Sequence, residues 1–206
     1  MNTTWDIALT FGHQSMRFLA EAETFVDTYK KLRAQEKREN INFWTDDKGW
    51  NNVNLKLMGD FDSMRNAYFK AISSAIVFYQ VSMEAIINDR IKSNTILSLY
   101  QNDNFSGKWT KSLTAVGENL VNIDKYINDI YRPFRNTIIH PEQAKLDAGK
   151  LDKLDIDLYP FPKHGIRAGW RAWEQLSKGL GQPHSMQNGQ SESWETFCTV
   201  NGVDKN

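Results

Sequence analysis

The chain has 206 residues, enough for one domain with a sizeable core. Lys+Arg and Asp+Glu both number 25, so the formal net charge is zero. No global field then draws the chain onto nucleic acid or an anionic membrane, and any such contact must be local. The single cysteine, Cys198, excludes an intrachain disulfide and a thiolate metal cluster; it fits a reducing compartment and reads as a small bystander side chain.

The first residues, Met1 to Asp6, lack the basic-then-apolar order of a signal peptide. No run approaches the roughly 20 apolar residues of a membrane span. The expectation is a cytoplasmic protein with no membrane partner.

Helical periodicity dominates from the start. Phe18, Ala22, Phe25, Tyr29 and Leu32 step by four and three, which predicts an amphipathic helix over about 13–38. Its closing cations, Lys30, Lys31, Arg33, Lys37 and Arg38, suit a helix C-terminus and read as a solvated cluster. Residues 40–62, with Trp44, Asp46, Asp47, Gly49, Trp50, Gly59 and Asp60, read as a turn-rich loop with some buried rings.

A second helix is expected over about 62–91. It is apolar nearly all round from Ala71 to Ile87, which places it at the centre of a bundle. Glu84 and Asn88 lie one turn apart inside that stretch. A buried glutamate must find a partner or stay protonated, so Glu84 is expected to hydrogen-bond a neighbouring helix. A third helix follows over about 112–131, where Leu113, Val116, Leu120, Ile123, Ile127 and Ile130 step by three and four. Pro133 then stops or kinks the chain.

The segment that follows carries the chemistry. Arg135-Asn136-Thr137-Ile138-Ile139-His140, running into Pro141, joins an always-charged guanidinium, an amide and a titratable imidazole within six residues. On one continuous helix, Asn136 and His140 would share a face, while Arg135 and His140 would stand roughly 140° apart. One copy of the motif therefore closes poorly on itself.

Residues 146–162 form an acidic connector with Asp147, Asp152, Asp155 and Asp157, lacking the converging histidines or glycine spacing of a metal loop. The other histidines, His13, His164 and His184, are scattered singly and read as surface or capping residues. No metal site and no cofactor is expected. A last helix over about 163–180 aligns Ile166, Trp170, Trp173, Leu176 and Leu180, its tryptophans reading as core. From Gln182 onward the chain is rich in Gln, Ser, Asn and Gly. It is expected to form one domain over 1–181 with a poorly ordered tail over 182–206.

The organisation is all-α, with a long antiparallel pair, further helices and a polar motif at a proline-bracketed junction. Tyr131-Arg132-Pro133-Phe134, then Arg135-Asn136 and, after three residues, His140-Pro141, resembles the Arg-(Asn/Asp/His)-x(4-6)-His signature of the HEPN superfamily. The stretch from Phe78 to Asn88, with an aromatic followed by Glu84-Ala85 and apolar residues, resembles the long second helix of those bundles. The likeness spans roughly residues 13–180.

The resemblance implies a HEPN-like bundle of about five helices and a metal-independent endoribonuclease of the kind found in toxin–antitoxin and phage-defence systems. Arg135, Asn136 and His140 would be catalytic, in a composite cleft across a homodimer. Arg132, Lys145 and Lys163 flank the motif and could steer RNA toward it, with Glu84 and Tyr131 in support. An antitoxin or defence-complex partner would fit the same reading. The alternative is a catalytically silent HEPN domain that binds RNA or protein, its Arg135 paired with a core carboxylate such as Glu84.

Overall fold

The computed structural model describes residues 3–39, 55–135, 160–182, 185–187, 190–191 and 193–204. Their architecture is all-α. Six α-helices run in the order α1 (Thr3–Glu39), α2 (Leu55–Ser93), α3 (Phe105–Ala115), α4 (Val121–Tyr126), α5 (Pro160–Gly179) and α6 (Trp194–Asn201). A 3-10 turn, Leu97–Tyr100, links α2 to α3, and α4 runs without a break into a π-helical segment, Ile127–Arg135. A two-stranded antiparallel hairpin, Ser185–Gln187 with Gln190–Ser191, precedes α6.

The two long helices pair antiparallel. Ser15 Oγ donates to the carbonyl of Ala75 at 2.7 Å, and Ser82 Oγ donates to the carbonyl of Ala8 at 2.7 Å, so position 8 faces 82 while 15 faces 75. Both serines are buried, and their short side chains let the helices approach closely while their hydroxyls are satisfied. On α1 the buried stripe is Ala8, Met16, Leu19, Ala22 and Val26. Of the stripe read from the sequence, Ala22 is buried and Phe18, Phe25 and Tyr29 are half-buried on its flank.

Several expected boundaries move. α1 begins ten residues earlier than the periodicity indicates. α2 begins at Leu55, so the end of the expected 40–62 loop is helical; residues 40–54 lie outside the described residues. The helix expected over 112–131 is two helices. Gly117 takes a left-handed φ of 76° between them, which a residue with a Cβ adopts at a cost, and the chain turns there.

By length and composition the Ser63–Ser93 stretch of α2 is long and apolar enough to cross a membrane, where the sequence reading expects no such span. Here it is the central core helix, with Ala71, Ile72, Ala75, Ile76, Tyr79, Met83, Ile86 and Ile87 buried among the other helices. It is not dry all round, since Phe69 and Val81 lie at its outer face.

The chain beyond Gln182, expected as a poorly ordered tail, contributes to the core. Trp194, Phe197, Cys198 and Val203 are buried. The ring of Phe197 stacks on Trp170 of α5 at 4.3 Å, and Trp194 meets Trp170 edge-on at 6.1 Å. Ser193 caps α6 by accepting from the Thr196 amide, and Gly202 ends it in the left-handed region. The domain therefore extends to at least Asp204, whose amide donates to Glu23 of α1.

Candidate functional site

The α4–π segment carries the chain to the motif. Its inner face is built from Ile123, Tyr126, Ile127 and Ile130, all buried, and its outer face presents Lys125, Asn128 and Arg132. Pro133 lies inside the π turns. In an α-helix its ring would press on the carbonyl of Asp129 and leave that carbonyl without an amide partner, and the wider π turn gives the ring room. π segments are rare, and they recur beside functional sites.

A polar chain joins this segment to the central helix. The Tyr126 hydroxyl donates to Gln80 Oε1 at 2.8 Å, and Gln80 Nε2 donates to Glu84 Oε1 at 2.9 Å. Glu84 is half-buried and thus reaches the neighbouring helix through Gln80. Beside it, Tyr79 packs edge-on to Tyr126 at 5.8 Å. Burial, with Tyr126 and Glu174 adding to it, holds the Tyr79 phenol well above its ordinary pKa, so it remains neutral. One turn beyond Glu84, Asn88 accepts from Lys108 Nζ of α3 at 2.8 Å.

The expected site residues fall into three groups. Arg135 is the last residue of the π segment, while Asn136, His140 and Lys145 lie outside the described residues. Arg132 is exposed and donates to Asn128 Oδ1 at 2.9 Å. Tyr131 is half-buried, its ring stacked on Phe105 at 4.6 Å.

Lys163, expected to contact a phosphate backbone, is instead buried and ion-paired to Glu23 at 3.1 Å. Its position in the first turn of α5 aims it at α1, and the carboxylate there compensates a charge that could not otherwise be buried. Lys163 fastens α5 to α1, and no surface is left on it for RNA.

Outside the motif, His13 contacts Asn201 of α6 through Nδ1, while His164 is exposed at the start of α5. Partial burial, then the nearby cations Lys125, Lys163 and Arg167, push the His164 imidazole below its ordinary pKa. Burial pushes the Cys198 thiol up to about 11, which makes it a poor nucleophile at neutral pH. Among the described residues no three His, Cys, Asp or Glu side chains come together to hold a metal ion; the 147–157 aspartates lie outside them.

Lys125, Gln80 and His164 are what the geometry adds. Gln80 stands four residues before Glu84 on α2 and shares its face, and Lys125, like Arg132, is exposed on the outer side of the α4–π segment. No protein-family model, no curated protein and no solved structure matches this chain.

Proposed function

We propose that the chain is a metal-independent endoribonuclease of the HEPN type, acting as a homodimer. The observation that carries this reading is the Arg135-Asn136-x3-His140 motif issuing directly from a π segment that is seated on the central helix and carries cations on its outer face. Prokaryotic defence, by cleavage of host or invader RNA, is the setting the motif suggests.

The chemistry asks little beyond these residue types. The 2′-hydroxyl of RNA attacks the adjacent phosphorus, the new O2′–P bond forms and the O5′–P bond breaks, leaving a 2′,3′-cyclic phosphate and a 5′-hydroxyl. An imidazole, with an ordinary pKa of about 6.5, can take the proton from O2′ or return one to O5′ near neutral pH. That is the role of His140. Arg135 neutralises the nonbridging oxygens of the phosphorane, a contribution of a few kcal/mol in a preorganised site, on the order of 3. Asn136 orients the phosphate or the imidazole. Two copies facing across a dimer bring the Arg135 of one protomer near the His140 of its partner, which one copy on a continuous helix would not do.

The test is cleavage of a mixed tRNA and mRNA pool by the purified protein in EDTA, beside His140→Ala and Arg135→Ala, with the dimer verified by light scattering. Cutting that both variants lose, at unchanged circular dichroism, supports the assignment. Intact RNA under a verified dimer transfers the reading to a silent binding domain.

A further inference from the structure

We infer that Lys125, Arg132 and His164 form a phosphate-binding track that guides the RNA strand along α4 and the π segment to Arg135; this rests on the ribonuclease reading above. Lys125, Asn128 and Arg132 are all exposed on the outer side of this segment, and Arg132 reaches back to hydrogen-bond Asn128 at 2.9 Å, so they make one outward stripe. It points toward the motif.

The start of α5 closes one side of that stripe. Gly165 lies so near the π segment that a Cβ there would stand 2.3 Å from Ile130 Cγ1 and 3.6 Å from Asp129 Cβ. The missing side chain lets the two backbones meet, and the neighbouring residue, His164, is exposed beside the seam.

The local charge is positive. The charged groups that bear on His164 are Lys125, Lys163 and Arg167, all cations. Of these, Lys163 is neutralised by Glu23, and Arg167 approaches Glu195 at 4.0 Å. No carboxylate pairs with Lys125 or Arg132 among the described residues; Arg132 is aimed by the neutral amide of Asn128, which leaves its charge uncompensated. The carboxylates on these elements are Asp124, at the end of the stripe remote from Arg135, and Asp129, half-buried under Gly165. A chain of zero net charge can hold a polyanion only through such a local set, and three contacts are enough to position a strand without binding it tightly.

The test uses a labelled single-stranded RNA with 2′-O-methyl groups, which lacks the attacking hydroxyl and stays whole on the active protein. Its affinity is followed by fluorescence anisotropy across a potassium chloride series for the wild type and for Lys125→Gln, Arg132→Gln and His164→Gln, singly and together. All three side chains are exposed, and circular dichroism checks the fold. Each ionised contact contributes about −0.7 to the slope of log affinity against log salt; the His164 imidazole, held below its ordinary pKa, is largely neutral at pH 7, so the triple variant is expected to lose about 1.4 units of slope, from Lys125 and Arg132, and at least tenfold in affinity at low salt.

Unchanged slope and affinity in the triple variant overturn the track. So does binding of polyglutamate in place of RNA through the same residues, which would make the stripe a dock for an acidic protein. If unmodified RNA is cut while the slopes do not move, the track falls and the ribonuclease stands. If the slopes fall while unmodified RNA stays intact, the track stands and the ribonuclease reading falls.

Discussion

The aromatic layer that α5 and α6 lay over α1 and the α4–π segment beside it treat charge in opposite ways. In the layer, Trp170, Trp173, Trp194 and Phe197 are almost completely buried, and the charges among them are matched: Lys163 with Glu23, Arg171 with Glu174. Along α4 and the π segment the inner face packs just as fully, but the outer cations Lys125 and Arg132 have no carboxylate partner among the described residues. Surface charges of that kind contribute little to stability, so they are free to serve recognition without weakening the fold. The layer holds the protein together, and the segment presents the cations on which the proposed function rests.

The sharpest way to break this comparison is to strike the layer. Trp170 touches Phe197, Trp173 and Trp194 and donates from its indole nitrogen to Glu174 at 2.9 Å. Trp170→Ala should cost about 3–5 kcal/mol, through lost transfer energy and the cavity left behind. Lys125→Gln should stay within about 0.5 kcal/mol. Urea denaturation of the two variants measures the contrast, and equal midpoints would dissolve the distinction between the two regions.

The buried ion pair comes next. Glu23 is tied twice, to Lys163 Nζ at 3.1 Å and to the Asp204 amide at 2.8 Å, whereas the Lys163 side chain is only 6% exposed. Removing the carboxylate strands an ammonium in the interior, and breaking such a pair costs about 3–5 kcal/mol. Removing the ammonium leaves a carboxylate that keeps some solvent and one amide donor. Glu23→Gln is therefore expected to destabilise more than Lys163→Met in thermal or urea unfolding. The reverse order would mean that Glu23 carries the burial cost of the pair.

The same contrast explains how much was legible in the sequence. The stripe Ile166, Trp170, Trp173 and Leu176 announces α5 because large apolar residues at helical spacing have few other uses, and the structure buries all four. α6 has its own signals, Ser193 as cap, Trp194, Phe197 and Cys198 on one face, and Gly202 as stop. The helix spans only eight residues behind a polar stretch, too short to outweigh its composition.

The run from Leu113 to Ile130 misleads for another reason: its three-and-four spacing continues by coincidence across the turn at Gly117, where only the backbone reveals the break. Residue types suggest the motif's chemistry, whereas the contacts of Glu84 through Gln80 to Tyr126, and of Lys163 with Glu23, depend on helices far apart in sequence being brought together. Periodicity places a residue on a face of its own helix and says nothing of which helix arrives opposite.

The gentlest perturbation tests whether the two regions are mechanically joined. Gly165 sits on α5 but meets Ile130 of the π segment, where an added Cβ would come within 2.3 Å of Cγ1 and 2.6 Å of Cδ1. Alanine is the better helix former by about 1 kcal/mol, so Gly165→Ala gains locally what it loses at the contact. Because Ile130 is itself buried, relief requires the π segment to shift, and overpacking of this kind costs about 1–3 kcal/mol. A net destabilisation of about 1 kcal/mol is expected. Shortening the opposing side chain with Ile130→Ala in the same molecule should recover part of it, since both crowding carbons are removed, and the two changes should be less than additive. A double-mutant cycle in urea reads the coupling. Additive costs would mean that α5 and the π segment do not press on each other at this point, and the aromatic layer would then have no direct hold on the segment that leads to Arg135.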